Sequence, residues 1–267
     1  MRISDKDDGF TRRMPAHFRK WVPAGGTCPY DDCTTLELSY LTDKKLLRTC
    51  IPEEFEIPRP VVIVSYQKCN GVQWMGGSKY SVTTASVPVR YMETKEPVSG
   101  IYHLVLWEDR TEPIIGGREE AGMPKIFADI PDYRKRGKEL SVSLSHEGRT
   151  FLEMDLLVGR EYTTKERAAL NKDNGRVVQL GWRYIPKVGP HPGPALSEAT
   201  YYPVDNAVTS AFACSGSITW TVPEPQDHPT QYDIIAALAA LPIKEYLPGS
   251  FRKGSSAMRM DLAHSLP

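Results

Sequence analysis

The chain reads as an α+β protein: a mainly antiparallel, curved or barrel-like β-sheet with a few flanking helices. Three observations predict this. Short alternating or continuously apolar runs recur along most of the 267 residues, as strands require. Glycines, prolines and charged pairs separate these runs at hairpin-like intervals. Helical periodicity is confined to a few segments and shows no βαβ rhythm, which favours antiparallel pairing with helices outside the sheet.

The elements follow in order. Residues 1–27 combine charge with Pro15, Pro23 and Gly25-Gly26, the composition of an extended arm on the surface or on a neighbouring subunit. Residues 28–267 are expected to form one domain. From Thr34 onward Leu36, Leu38 and Tyr40 share a strand face, and Thr42-Asp43 can cap a helix over Lys44–Cys50 that Pro52 stops. Further strands are expected over Val61–Gln67, Lys79–Tyr91, Ile101–Glu108, Glu139–Ser145, Thr150–Val158, Arg176–Ile185 and Ala207–Val222. Two more helices are expected, Thr163–Leu170 and Gln231–Leu241. In the second, Ile234, Ile235, Leu238 and Leu241 recur at helical spacing before Pro242. Lys187–Pro194 (KVGPHPGP) is a loop, and no repeat or low-complexity linker interrupts residues 28–253.

Composition excludes several function classes. With 40% hydrophobic residues the chain can bury a sizeable core. Its 33 basic and 33 acidic residues cancel, so no net field draws it to nucleic acid or an anionic membrane, and neither partner is expected. No apolar run approaches the roughly 20 residues of a membrane span, and Met1–Asp8 is charged where a signal peptide is apolar. A soluble, cytoplasmic protein is the expectation. Cys28, Cys33, Cys50, Cys69 and Cys214 have neither CxxC spacing nor a disulfide framework and read as free thiols. The six histidines form no HExxH or His-Cys cluster, so no metal is expected. Neither GxGxxG nor GxxxxGK[ST] occurs, which removes the usual nucleotide cradles.

The most informative segment is GREEAGMPK, Gly117–Lys125, which follows the apolar strand Ile101–Glu108. It resembles the segment around the reactive lysine of the acetoacetate decarboxylase family. Five further pieces carry the resemblance: YLTDKKLLRTCIPEEFEI, SVPVRY, RYIPK, ACSGSITW and LPIKEYLPGSF. The resemblance implies that Lys125 is an amine that condenses with a substrate ketone, with no metal or organic cofactor. A solvated lysine, with pKa about 10.4, is uncharged in only about one molecule in 2,500 at pH 7. The amine must therefore be desolvated or sit beside a cation, the two devices this family is known for. In the family a second lysine follows the reactive one, and here the next residue is Ile126. That charge, about 5 Å away, would be worth roughly 3 kcal/mol. Desolvation among Met123, Pro124, Ile126 and Phe127 can replace it.

Other departures bear on the substrate. Alignment of the resemblance puts Val82 where decarboxylases carry a pocket glutamate, and Cys33 near a pocket arginine. Cys33, Val82 and Ile126 in place of charged groups imply a bulkier, more apolar ketone than acetoacetate. Candidate polar pocket residues are Tyr80, Glu119, Glu120 and Arg252. Glu120 is the candidate acid–base partner of Lys125, while Arg118, Glu119 and Glu120 can equally hold a turn by structural hydrogen bonds. Met123 and Phe251 are candidate apolar walls.

The expected activity is that of a Schiff-base lyase acting on a keto acid or larger ketone, by decarboxylation or by aldol and dehydration chemistry, as in natural-product pathways. Two alternatives stand beside it: a non-covalent cyclase or isomerase on a polyketide-like substrate, and a non-catalytic small-molecule binding protein. The resemblance also implies a homo-oligomer.

Overall fold

The computed structural model describes residues 11–16, 20–21, 26–173 and 175–267. Two short strands, β1 (Thr11–Arg12) and β2 (Lys20–Trp21), pair with each other. Residues 1–10, 17–19 and 22–25 of the expected arm lie outside the described residues. The main sheet follows, built from β3 (Cys28–Leu41), β4 (Phe55–Glu56), β5 (Val61–Val72), β6 (Ser78–Tyr91), β7 (Val98–Glu108), β8 (Lys125–Phe127), β9 (Arg134–Arg136), β10 (Glu139–His146), β11 (Arg149–Glu161), β12 (Arg176–Pro186), β13 (Pro194–Trp220), β14 (Glu245–Met258) and β15 (His264–Ser265). Helices α1 (Lys44–Arg48), α2 (Thr111–Ala121), α3 (Thr164–Asp173) and α4 (Tyr232–Ala239) interrupt it. No helix among the described residues is long and apolar enough to cross a membrane.

The strand order β12-β7-β6-β5-β3-β14-β13 closes on itself, because β13 also pairs with β12. The result is a ring of mostly antiparallel strands. Its one parallel seam joins β12 to β7 at Gln179↔Ile101 and Leu180↔Tyr102. Strand β13 spans 27 residues. Its first part pairs with β12, its middle with β14 and its end with β11, so it carries the chain from the ring into the β11-β10-β9 extension.

Period-2 alternation decides what each face of the ring meets. The outward residues Leu36, Leu38, Tyr40, Val62, Val64, Tyr66, Ala85, Val87 and Val89 form the main apolar core with Leu47 of α1, Ile235 and Leu238 of α4, and the β10–β11 hairpin. The inward residues line a hollow. Hence the main core wraps the outside of the ring, and a second apolar cluster, with Tyr80, Val82, Leu106 and Met123, borders the hollow inside it.

The α+β expectation holds. Its largest miss is α2, which reads as a short turn because Pro113, Gly116 and Gly117 are poor helix formers. Pro113 sits near the helix N-terminus, where its missing N–H costs nothing. The strand expected at Ala207–Val222 is only the latter part of β13.

Candidate active site

The GREEAGMPK segment folds as the end of α2 running into β8, and the structure gives most of its residues a reason. Gly117 packs directly on Lys125: a Cβ there would lie 2.4 Å from both Cδ and Cε of the lysine. Arg118 Nη1 donates to the Lys125 carbonyl at 2.9 Å, fixing the backbone that presents the amine. Gly122 ends the helix in the left-handed region at φ 66°, where an added Cβ would also meet the Arg183 nitrogen at 2.6 Å. Strand β8 then runs parallel to β7 with Leu106 opposite Lys125.

These constraints turn the Lys125 side chain into the ring. It is 9% exposed, and Nζ donates to Glu108 Oε1 at 2.7 Å and to the Pro113 carbonyl at 3.2 Å. Glu108 ends β7, is 1% exposed, and its Oε2 has no hydrogen-bond partner. Burial raises its carboxyl above the ordinary range even with Lys125 alongside to oppose the shift. Amine and carboxylate face a chamber of ≈ 120 Å³ walled by Tyr80, Val82, Leu106, Met123 and Tyr202. At its mouth Arg13 meets Glu120, with Nη2 to Oε2 at 2.7 Å and a second contact from Nε to Oε1, and the guanidinium lies over Trp74. Tyr80 Oη donates to Tyr30 Oη at 3.2 Å, and burial pushes both phenols well up, so they stay neutral.

Deeper in the ring stands His103. It is 6% exposed, Nδ1 lies 2.8 Å from Ser86 Oγ, and Nε2 has no partner. Burial, reinforced by the Lys125 charge, pushes this imidazole down to about 4, so it is neutral at pH 7. No group of three or more His, Cys, Asp or Glu side chains among the described residues is arranged to hold a metal ion.

Of the residues expected to form the site, Lys125, Glu120, Tyr80, Val82 and Met123 line one chamber. Cys33 and Arg252 line an adjoining chamber, where Arg252 Nη2 donates to Glu37 Oε2 at 2.6 Å. Glu119 lines neither chamber. Three placements need correction. Ile126 follows Lys125 on a strand, so it turns outward and packs on the main core. Phe251 alternates with Arg252 in the same way and stacks on Phe212 in that core, ring centroids 5.9 Å apart. Arg118 is exposed and holds backbone. Sequence reasoning missed Glu108 and His103, which sit inside the apolar run IYHLVLWE. A charged residue closing such a run was the available signal.

Comparison with known proteins identifies the family. Residues 13–257 match the acetoacetate decarboxylase (ADC) family. The chain is 34% identical over 91 residues to an acetoacetate decarboxylase of Ralstonia nicotianae, a stretch covering 34% of each protein. It is 27% identical over 133 residues to the CLA biosynthesis isomerase of Lactiplantibacillus plantarum, covering 48% of this chain and 45% of that protein. These matched stretches thus span a third to a half of the relatives' length. The fold is similar to the crystal structure of acetoacetate decarboxylase from Legionella pneumophila, with TM-score 0.74 at 20% identity, covering 93% of this chain and 91% of that one. The match across nearly the whole ring, with Lys125 and its supporting glycines inside it, shows that this chain belongs to the acetoacetate decarboxylase family.

Proposed function

We propose that this protein is an enzyme that holds a ketone covalently as a Schiff base on Lys125 and makes or breaks a bond at the adjacent carbon. The observation that carries the reading is a buried amine 2.7 Å from a buried carboxylate, both facing one cavity. Glu108 takes the acid–base role that the sequence suggested for Glu120, since Arg13 occupies both Glu120 oxygens.

The chemistry runs as follows. Burial disfavours the Glu108 carboxylate, so it can accept a proton from Lys125 and leave the nitrogen lone pair free. The lone pair adds to the carbonyl carbon, the carbonyl π pair moves to oxygen, and a proton passes from the adduct nitrogen to that oxygen, giving the neutral carbinolamine. Glu108-H returns its proton to that hydroxyl, which departs as water while the nitrogen pair forms the iminium. The iminium then accepts the electron pair of an adjacent C–H or C–C bond. Protonation of the resulting enamine and hydrolysis by water release product and regenerate the amine.

Charge pairing narrows the substrate. The cations lining this chamber, Arg13 and Lys125, each face a protein carboxylate. A substrate carboxylate would have to displace one of these partners, so the chamber favours an uncharged ketone and cleavage of an α C–H or aldol C–C bond. Similarity to both a decarboxylase and an isomerase is consistent with a family that carries more than one reaction.

The test is reductive trapping. The protein is incubated with 2-butanone, 2,4-pentanedione or acetoacetate, sodium borohydride is added, and tryptic peptides are weighed. A reduced adduct on Lys125, more abundant with the neutral ketones than with acetoacetate and missing in Lys125→Ala, is expected. Absence of an adduct from every ketone, or catalytic turnover that survives Lys125→Ala, overturns the reading.

A further inference from the structure

The ring interior does not end at Lys125. A second chamber of ≈ 340 Å³ lies beyond it, lined among others by Thr35, Ser65, Ser86, Asn206 and Arg252. The two chambers share Gln67, Val82, Thr84, His103, Gln179 and Val204 as walls, so they meet at a waist within the ring. Their chemistry differs. Aromatic, thioether and aliphatic side chains wall much of the first, while the second adds hydroxyl and amide side chains to its aliphatic ones and carries two cations, Arg252, paired with Glu37, and Lys253, over the Phe251 ring.

We infer that the second chamber binds the remote end of an elongated ketone that carries a hydroxyl group, and that His103 Nε2 at the waist is the hydrogen-bond partner of that hydroxyl. The inference rests on the proposed Schiff-base reading for the position of the ketone, but not for the hydroxyl contact. His103 is buried and held by Ser86 through Nδ1; Nε2 makes no hydrogen bond of ordinary geometry, with the Gln179 side chain beside the ring in the wall common to both chambers. A buried polar atom left unpaired is costly, and a ligand that pairs it recovers that cost. The imidazole is neutral near pH 7. Either of its tautomers is satisfied by a hydroxyl, which both donates and accepts. A bulge at Leu104, opposite Ala85 and Ser86, re-phases β7 so that His103, Leu106 and Glu108 all face inward. Across the bulge His103 pairs with Ser86 and Leu106, the partner of Lys125, with Thr84, two positions apart on β6, which is about 7 Å at ~3.3 Å per residue. A ketone of several carbons is needed to reach across.

The experiment measures affinity by calorimetry for two matched series, 4-hydroxy-2-butanone to 8-hydroxy-2-octanone and the corresponding 2-ketones without the hydroxyl. The readout is the ratio of the two dissociation constants at each chain length, which general damage to the fold does not move. At the best length the hydroxyketone should bind roughly ten- to a hundredfold more tightly. The ratio should fall to near one in His103→Leu and recover in part in His103→Gln. Ser65→Phe, which fills the second chamber, should selectively weaken the longer members. A ratio near one at every length in the wild-type protein overturns the inference, as does a ratio indifferent to His103→Leu. Borohydride trapping of the same ligands reports separately on Lys125. A hydroxyl preference without any adduct removes the Schiff base and keeps this site; an adduct without the preference does the reverse.

Discussion

Along β6, Ala85, Val87, Val89 and Tyr91 are sealed in the outer core, while Tyr80, Val82, Thr84 and Ser86, alternating with that set, line the hollow of the ring. The same division runs along β7, where Tyr102, Val105 and Trp107 face outward and His103, Leu106 and Glu108 face inward. One face of each strand packs into the main core, and the other borders the hollow, where a smaller apolar cluster stands beside the polar groups. The difference explains how a charged pair such as Lys125–Glu108 can stand inside the ring, where β7 ends and β8 begins. A buried ion pair contributes little to stability and survives where surrounding packing holds it in place.

Three substitutions sharpen or break this division. The largest effect is expected on the outward face. Trp107 is fully buried, its rings lie 5.1 Å from Phe151 and 6.0 Å from Trp220, and its Nε1 donates to Gln231 Oε1 at 3.0 Å. Trp107→Ala should cost about 3–5 kcal/mol in urea unfolding, with Lys125 adduct formation per folded molecule retained. Loss of the adduct in the folded fraction would show that the two faces are not separable.

Next comes a titration. The folded His103 sits near 4 against an ordinary 6.5, so between these values the unfolded chain binds the extra proton. Stability from this residue is therefore present above pH ~6.5 and is lost as pH falls through about 4. Wild-type protein should lose about 3 kcal/mol more than His103→Leu between pH 7 and 4. Parallel stability curves for the two proteins would place the imidazole in contact with solvent.

The smallest effect is kinetic. Glu108→Gln keeps an acceptor for Lys125 and removes the proton carrier, so the rate of borohydride trapping with 2-butanone should fall about 10²-fold. On the same scale this is ~2.7 kcal/mol. An unchanged rate in Glu108→Gln, combined with loss in Glu120→Gln, would return the acid–base role to the mouth of the chamber.

Much of the sheet was legible. The strands expected at Lys79–Tyr91, Ile101–Glu108 and Arg176–Ile185 form within one to three residues of their expected ends, because β-branched and aromatic runs between turn residues admit few other structures. Helix α4 was equally plain, with Ile235 and Leu238 buried at helical spacing. Helix α2 was hidden, since its glycines make room for Lys125 and Arg13 at the expense of propensity. Inward and outward faces were hidden too. Both sides of β6 are mostly buried, so polarity does not alternate cleanly, and the bulge between His103 and Val105 changes the phase of β7 partway along.

The sequence by itself determined the strand-rich architecture and the position of the amine, because turn residues, short apolar runs and the GREEAGMPK spacing are local properties of the chain. Only the tertiary structure decided what surrounds that amine. Glu108 meets Lys125 through the β7–β8 pairing and Arg13 reaches Glu120 from far along the chain, while ring closure between β12 and β7 and between β12 and β13 encloses the second chamber. Strand closure sets which alternate side chains point inward, and no local pattern encodes it.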